Sequence, residues 1–264
     1  VKQIPDSLIS KGGLIIKEAA QSLGYTFKNM LKFIDVEKCK SCGHCSMGCF
    51  NDAKWTSNNH ITEAQKFGAD VVFNTEVEKV ITDHGKSKGV IVRNNNHTMN
   101  IESNFVILAA GGIGTPVILQ NSGFSDAGTN LFIDILVNTY GVTEGIGMVN
   151  EPQMSLVNLD FHKNDGFLLS SYIQPSREIR LIELGVGGYT MPTNRMIGIM
   201  TKISDEPSGR VYSDGTITKD VTEKDKIKID KGTKISQEIL IKAGAKPESI
   251  KFSAPQGAHP GGTA

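Results

Sequence analysis

Several things are scarce in this chain, and each shortage narrows what it does. There is no surplus of charge: 28 basic residues balance 28 acidic ones over 264 residues, so nothing points to nucleic acid or an anionic membrane surface. No apolar run is long enough to span a bilayer and no secretory signal is present, so a cytoplasmic chain without a membrane span is expected. No tandem repeat or low-complexity linker appears, and outside one short loop there is no cysteine. An initiator Met is missing too. The chain opens on Val1 and closes on Ala264 inside a glycine-rich phrase, and both ends read as cut, as in an internal fragment or a processed chain. Its length suffices for two domains and a sizeable core.

The most informative stretch present is Asn104–Gly123. Phe105–Ala110 is a continuous apolar run, the pattern of a strand buried on both faces. Gly111-Gly112-Ile113-Gly114 then lets the backbone turn sharply, Thr115 is a good N-cap, and Pro116 suits the first turn of a helix. A buried strand, a glycine turn and a helix N-terminus form the usual nucleotide site of an α/β fold; an ordinary tight βα connection has the same local features.

Elsewhere the pattern predicts a helix carrying Ile16, Ala19, Ala20 and Leu23 on one face, stopped at Gly24, and a short helix over His60–Gly68. Strands are expected at Val71–Phe73, Val77–Ile81 and Val90–Val92, with polar turns between them. Beyond residue 132, β-type runs at Phe167–Leu169, Ile179–Leu184, Met196–Ile203 and Val211-Tyr212 suit an antiparallel sheet. Gly185, Gly187 and Gly188 read as a bulge or turn in that sheet. Val221–Gly244 is helical, with Ile235, Ile239, Leu240 and Ala243 on one face.

All four cysteines, Cys39, Cys42, Cys45 and Cys49, sit in one loop with the C-x2-C-x2-C-x3-C spacing of a bacterial ferredoxin, Phe50 standing where a proline is usual. The candidate occupants are an iron–sulfur cluster, zinc, or nothing with the thiols free. Disulfides are the weakest option, because such close neighbours rarely meet the geometry. In two-cluster ferredoxins the fourth Cys of such a run ligates the other cluster, and no further Cys is available here.

Five phrases, in order, resemble the glucose–methanol–choline (GMC) family of FAD-dependent alcohol oxidoreductases. They are Gly48-Cys49-Phe50-Asn51-Asp52-Ala53-Lys54; Thr75-Glu76-Val77; Gly111-x3-Thr115-Pro116-x2-Leu119-x2-Ser122-Gly123; Gly128-Thr129-Asn130-Leu131; and His259-Pro260-Gly261-Gly262-Thr263. Phe124 and Ser125 depart from the aliphatic residue and glycine that usually follow the third. The resemblance implies FAD bound by Val77, Ala109, Ala110, Gly111, Thr115 and Pro116. It also implies that His259 takes the proton of an alcohol hydroxyl, a task suited to a neutral imidazole. On residues alone His259 is a turn histidine. No G-x-G-x-x-G pyrophosphate loop occurs, so the FAD site is incomplete in this chain.

The expected fold class is therefore mixed α/β, part of an FAD-binding α/β domain plus an antiparallel-sheet substrate domain. The expected boundaries are 1–127 for the flavin part, 128–250 for the substrate domain and 251–264 for the return to the flavin part. The implied activity is an FAD-dependent dehydrogenase acting on the CH–OH group of a small alcohol or sugar-like donor, passing electrons to an acceptor protein or companion subunit. The alternative is an iron–sulfur electron-transfer or assembly subunit with a vestigial flavin fold.

Overall fold

A computed structural model describes all residues, Val1–Ala264. Its first elements are strand β1 (Lys2–Gln3), helix α1 (Lys11–Ser22), strands β2 (Lys28–Asn29) and β3 (Leu31–Lys32), and helix α2 (Ser57–Lys66). A meander of β4 (Thr75–Asp83), β5 (Lys86–Asn94) and β6 (His97–Glu102) leads to helix α3 (Gly111–Asn121). Then come β7 (Leu136–Val142), β8 (Leu156–Asn158), a single turn α4 (His162–Asp165), β9 (Phe167–Ser171), α5 (Arg177–Leu184) and α6 (Val186–Tyr189). The rest is β10 (Met196–Ile203), the hairpin β11 (Arg210–Val211) and β12 (Ile217–Thr218), helix α7 (Glu223–Lys242) and β13 (Lys251–Phe252). All strand pairings are antiparallel, so the fold is mixed α/β with antiparallel sheets. No helix is long and apolar enough to cross a membrane.

The chain divides into two compact units, each made of three segments: 1–57, 135–204 and 223–256 in the first, and 58–134, 205–222 and 257–264 in the second. These boundaries differ from a simple division at 127/128 and 250/251. The first 57 residues fold with the large sheet because β2 pairs with β8 and because Ser10, the N-cap of α1, is bonded to Glu151.

The first unit is built on a six-stranded sheet in the order β13-β7-β10-β9-β8-β2. Period-two alternation turns Ile197, Ile199, Thr201 and Ile203 of β10 to one face, where they meet α7. The helix buries Ile229, Ile235, Ile239 and Leu240 there, each worth about 1.5–3 kcal/mol. Thr201 and Ser236 hydroxyls bond at 3.1 Å within this interface. Gly232 has no side chain because a Cβ would run into Thr201 and Phe167. The expected faces of α1 and α7 are both present, with Ile16, Ala19 and Ala20 buried in α1. Leu23 lies just past the end of α1 and stays exposed, and Gly24 takes φ +86° at the helix stop.

The second unit holds the meander β4-β5-β6, with α3 packed beside β4. Ser122, just past α3, accepts from the Val80 N–H at 2.8 Å and fixes the helix against the strand.

Five sequence expectations need correction. Phe105–Ala110 forms no strand and pairs with nothing, with Phe105 and Ile107 89% and 91% exposed; no strand of this chain runs beside it, so its pattern finds no sheet to enter. Val71–Phe73 likewise pairs with nothing. Residues 179–184 are helical: Ser176 caps α5 by accepting from the Ile179 N–H at 3.3 Å, and the apolar positions fit a helix face as well as a strand. Gly185 ends that helix at φ +69°, while Gly187 and Gly188 lie inside α6 rather than in a sheet. Finally, α3 starts at Gly111, not Thr115, so Pro116 lies inside the helix. As the sixth helical residue it cannot donate to the Gly112 carbonyl four positions back, and Thr263 Oγ1 donates to that carbonyl at 2.7 Å instead.

Candidate functional site

The second unit brings together most of the residues singled out in the sequence. Val77 and Ala110 line a cleft of about 960 Å3 with Glu76, Glu78, Arg93 and Gly114. Arg93 Nε donates to Glu78 at 2.7 Å and its Nη2 to Glu76, which fixes the charged rim. A bulge between Val77 and Lys79 twists β4 at this point. Ala109, Gly111 and Thr115 line a smaller cleft of about 480 Å3, whose other wall is Gly261, Gly262, Thr263 and Ala264. Gly111 stands at φ +75°, a conformation that favours glycine, at the open end of α3. Thr115 Oγ1 accepts from the Ala110 N–H at 3.1 Å. Pro116 is buried in α3 and lines neither cleft.

The glycine turn and the H-P-G-G-T phrase, far apart in sequence, meet directly. Thr263 Oγ1 donates to the Gly112 carbonyl at 2.7 Å. A Cβ on Gly112 would run into the Pro260 carbonyl, so only glycine allows the approach. Thr263 O in turn accepts from Gly128 N at 2.7 Å. His259 is 65% exposed, with its Nδ1 3.2 Å from Asp134 Oδ2. Asp134 is the residue that sequence reasoning missed. Its only signal was position, four residues past the Asn130 of the G-x-N-L phrase, and no spacing rule connects it to His259.

The larger cleft has the volume of a ligand pocket and an apolar wall of Val77, Ala110, Val117 and Ile118 beside a polar rim. The smaller opens on the first turn of an eleven-residue helix, where N–H groups and the helix dipole favour an anion. The residues present fit part of an FAD, though the sequence has no G-x-G-x-x-G loop for the pyrophosphate.

The cysteine loop belongs to the first unit and does not fit a metal. No three of its thiols, alone or with His or carboxylate groups, converge on a metal position. Its bonds hold protein instead. Ser46 N–H donates to Gln153 Oε1 at 2.7 Å, Lys54 Nζ to the Cys45 carbonyl at 3.2 Å, and Ala53 N–H to Cys49 Sγ at 3.3 Å. All four cysteines are free, with Cys42 exposed. Slight burial works against ionising Cys49, but N–H groups of Ala53, Asn51 and Lys54 outweigh it and draw the thiol below its ordinary value. Lys32 is drawn down by burial and by Lys54, against the pull of Cys45 and Cys39.

Two other polar clusters lie in the first unit. Glu151 accepts from the hydroxyls of Ser10, Ser155 and Ser171 and from the Ser10 N–H at 3.1 Å. Burial nevertheless pushes its carboxyl up, the four donors only partly holding it down. Tyr140 donates to Glu183 Oε2 at 2.8 Å; burial pushes Tyr140 up and also raises Glu183, while Tyr172 is pushed up to about 12, chiefly by burial.

Antiparallel sheets with a meander, a helix N-terminus and two clefts make a mixed α/β fold with a candidate nucleotide site. Comparison with known proteins makes this specific. Residues 9–136 match the profile of the GMC oxidoreductase family, so this part of the chain is similar to that family. It is 28% identical over 243 residues to an uncharacterised protein of Methanocaldococcus jannaschii, covering 90% of this chain and 59% of that one. It is 24% identical over 271 residues to a long-chain-alcohol oxidase of Arabidopsis thaliana, covering 88% of this chain and 35% of the oxidase. Among solved structures, pyridoxine 4-oxidase from Mesorbium loti is similar in fold, with a TM-score of 0.65 and 12% identity over 90% of this chain and 52% of that chain. Formate oxidase of Aspergillus oryzae is another, with a TM-score of 0.52 and 15% identity over 72% of this chain and 50% of that one. The chain thus spans less than two thirds of each of these proteins.

Proposed function

We propose that this chain carries the catalytic core of an FAD-dependent oxidoreductase acting on the CH–OH group of an alcohol or sugar-like donor. The observation that carries this reading is the shared cleft, in which the expected cofactor residues Ala109, Gly111 and Thr115 face the Gly261–Ala264 wall. That wall continues directly from His259. Val77 and Ala110 would hold FAD in the larger cleft, and Ala109, Gly111 and Thr115 in the smaller, with Pro116 shaping the helix between them. When bound, FAD supplies the acceptor for the hydride leaving the carbinol carbon. His259 takes the hydroxyl proton; a positioned base of this kind contributes roughly 10²–10⁴-fold.

The electrons then pass to an acceptor protein or companion subunit, as in a dehydrogenase. The rival reading, an iron–sulfur electron-transfer or assembly subunit, draws no support from the placement of the thiols. The match of residues 9–136 to the GMC oxidoreductase family favours the flavin enzyme. The test is to isolate the protein from its own cells and add primary long-chain, short-chain and sugar-like alcohols anaerobically, following flavin absorbance. Bleaching by at least one class is expected. Stoichiometric bound FAD that no alcohol reduces would overturn the proposal.

A further inference from the structure

We propose that Asp134 is a positioning residue for His259, accepting a hydrogen bond from its Nδ1–H and thereby reserving Nε2 as the free base. This rests on the reading of His259 as the group that takes the substrate proton. The contact is His259 Nδ1 to Asp134 Oδ2 at 3.2 Å. A carboxylate only accepts, so the imidazole nitrogen facing it must carry the proton, and the lone pair is left on Nε2. When the substrate O–H bond breaks and an Nε2–H bond forms, the resulting imidazolium charge faces the Asp134 carboxylate.

A half-exposed His–Asp contact is by itself an ordinary surface pair. Here, however, the backbone on both sides is fixed. The N–H groups of Ala258 and His259 both donate to the Ile133 carbonyl, at 2.9 and 3.1 Å. Phe132 and Gly261 exchange a pair of bonds at 3.1 and 3.0 Å. Asp134 itself sits at φ +56°, a conformation uncommon outside glycine and best tolerated by Asn and Asp. That conformation is held from behind by Asp205, whose carboxylate accepts from the N–H of Asp134 at 2.8 Å and of Ile133 at 3.1 Å. Asp205 is in turn paired with Lys219 at 2.9 Å, both side chains almost fully buried. A buried ion pair thus clamps a left-handed aspartate whose side chain reaches the histidine. Such support for one exposed contact is the arrangement expected of a residue whose orientation matters.

The experiment compares Asp134→Asn and Asp134→Gly; glycine keeps the left-handed backbone and removes the carboxylate. In the full chain, long-range 1H–15N NMR reads the tautomer of each of the 6 histidines, with His259 assigned by its loss in His259→Gln. The wild type is expected to show Nδ1–H at His259, and Asp134→Gly to lose that preference while folding normally. In the flavin-loaded protein, both Asp134 variants should lower kcat with KM unchanged, by up to about the 10⁴-fold seen when a triad aspartate becomes asparagine. If His259→Gln slows reduction but the Asp134 variants change neither tautomer nor kcat, the positioning role is wrong and the base assignment stands. If His259→Gln leaves reduction unaffected, the base assignment itself has failed, whatever the tautomer.

Discussion

Arg180 offers the sharpest structural prediction. Its guanidinium is fully buried and faces no carboxylate directly; it is spent entirely on neutral oxygens. Nε donates to the Gly188 carbonyl at 3.0 Å, Nη1 to those of Gln174 and Pro175 at 2.6 and 3.0 Å, and Nη2 to the Met191 carbonyl and Thr193 Oγ1 at 3.2 and 2.9 Å. One side chain of α5 therefore ties together the segment leading into that helix, Gly188 of α6 and the approach to β10. An ammonium has three donors against these five bonds, so Arg180→Lys leaves at least two acceptors unpaired. At about 1–3 kcal/mol for each orphaned buried group, the cost is about 2–6 kcal/mol. Since α5 also carries Glu183, the partner of Tyr140, the loss should loosen the cover over that part of the sheet. Urea unfolding read by circular dichroism measures it directly. The midpoint should fall without a change in slope. An Arg180→Lys protein within about 0.5 kcal/mol of wild type, the range of an ordinary surface change, would refute the reasoning.

Three further predictions are independent of it. Burial raises the Glu151 carboxyl above its ordinary value of 4.5, so the unfolded chain releases its proton first as pH rises. Stability should decline from pH 4.5 upward through the raised value, and Glu151→Gln, measured by thermal unfolding across that range, should remove this part of the slope. Gly112→Ala should destabilise the second unit by about 1–3 kcal/mol, because its methyl must displace the Pro260 carbonyl; an unchanged melting temperature would contradict the close approach. Anaerobic reconstitution with iron and sulfide should give colourless protein without bound iron, and a chromophore abolished by Cys42→Ser would show that the loop rearranges to hold a cluster.

Amphipathic helices were legible because their pattern needs only one apolar neighbour. The faces of α1 and α7 could be read directly, Ile16 and Ala20 in the one and Ile239 and Leu240 in the other all being buried. Phe105–Ala110 was misleading for the opposite reason: an apolar run states what a segment would bury against, and no strand of this chain supplies it. Residues 179–184 show how a short apolar run fails to separate strand from helix until the Ser176 cap is noticed. The cysteine spacing was clear, but spacing constrains only the order of thiols along a loop; their directions follow from bonds such as Ser46 to Gln153. At the candidate site the motifs were readable singly. Their meeting through Gly112, Pro260 and Thr263, and the Asp134–His259 pair, are long-range contacts that no local pattern encodes.

The role of base proposed for His259 in an FAD-dependent alcohol oxidation is read from the rate at which substrate reduces the flavin. Anaerobic stopped-flow reduction of the bound flavin by the best alcohol should be slowed by about 10²–10⁴-fold in His259→Ala, with the melting temperature unchanged because the side chain is 65% exposed. Reduction at the wild-type rate in a folded, flavin-loaded His259→Ala protein would contradict the account.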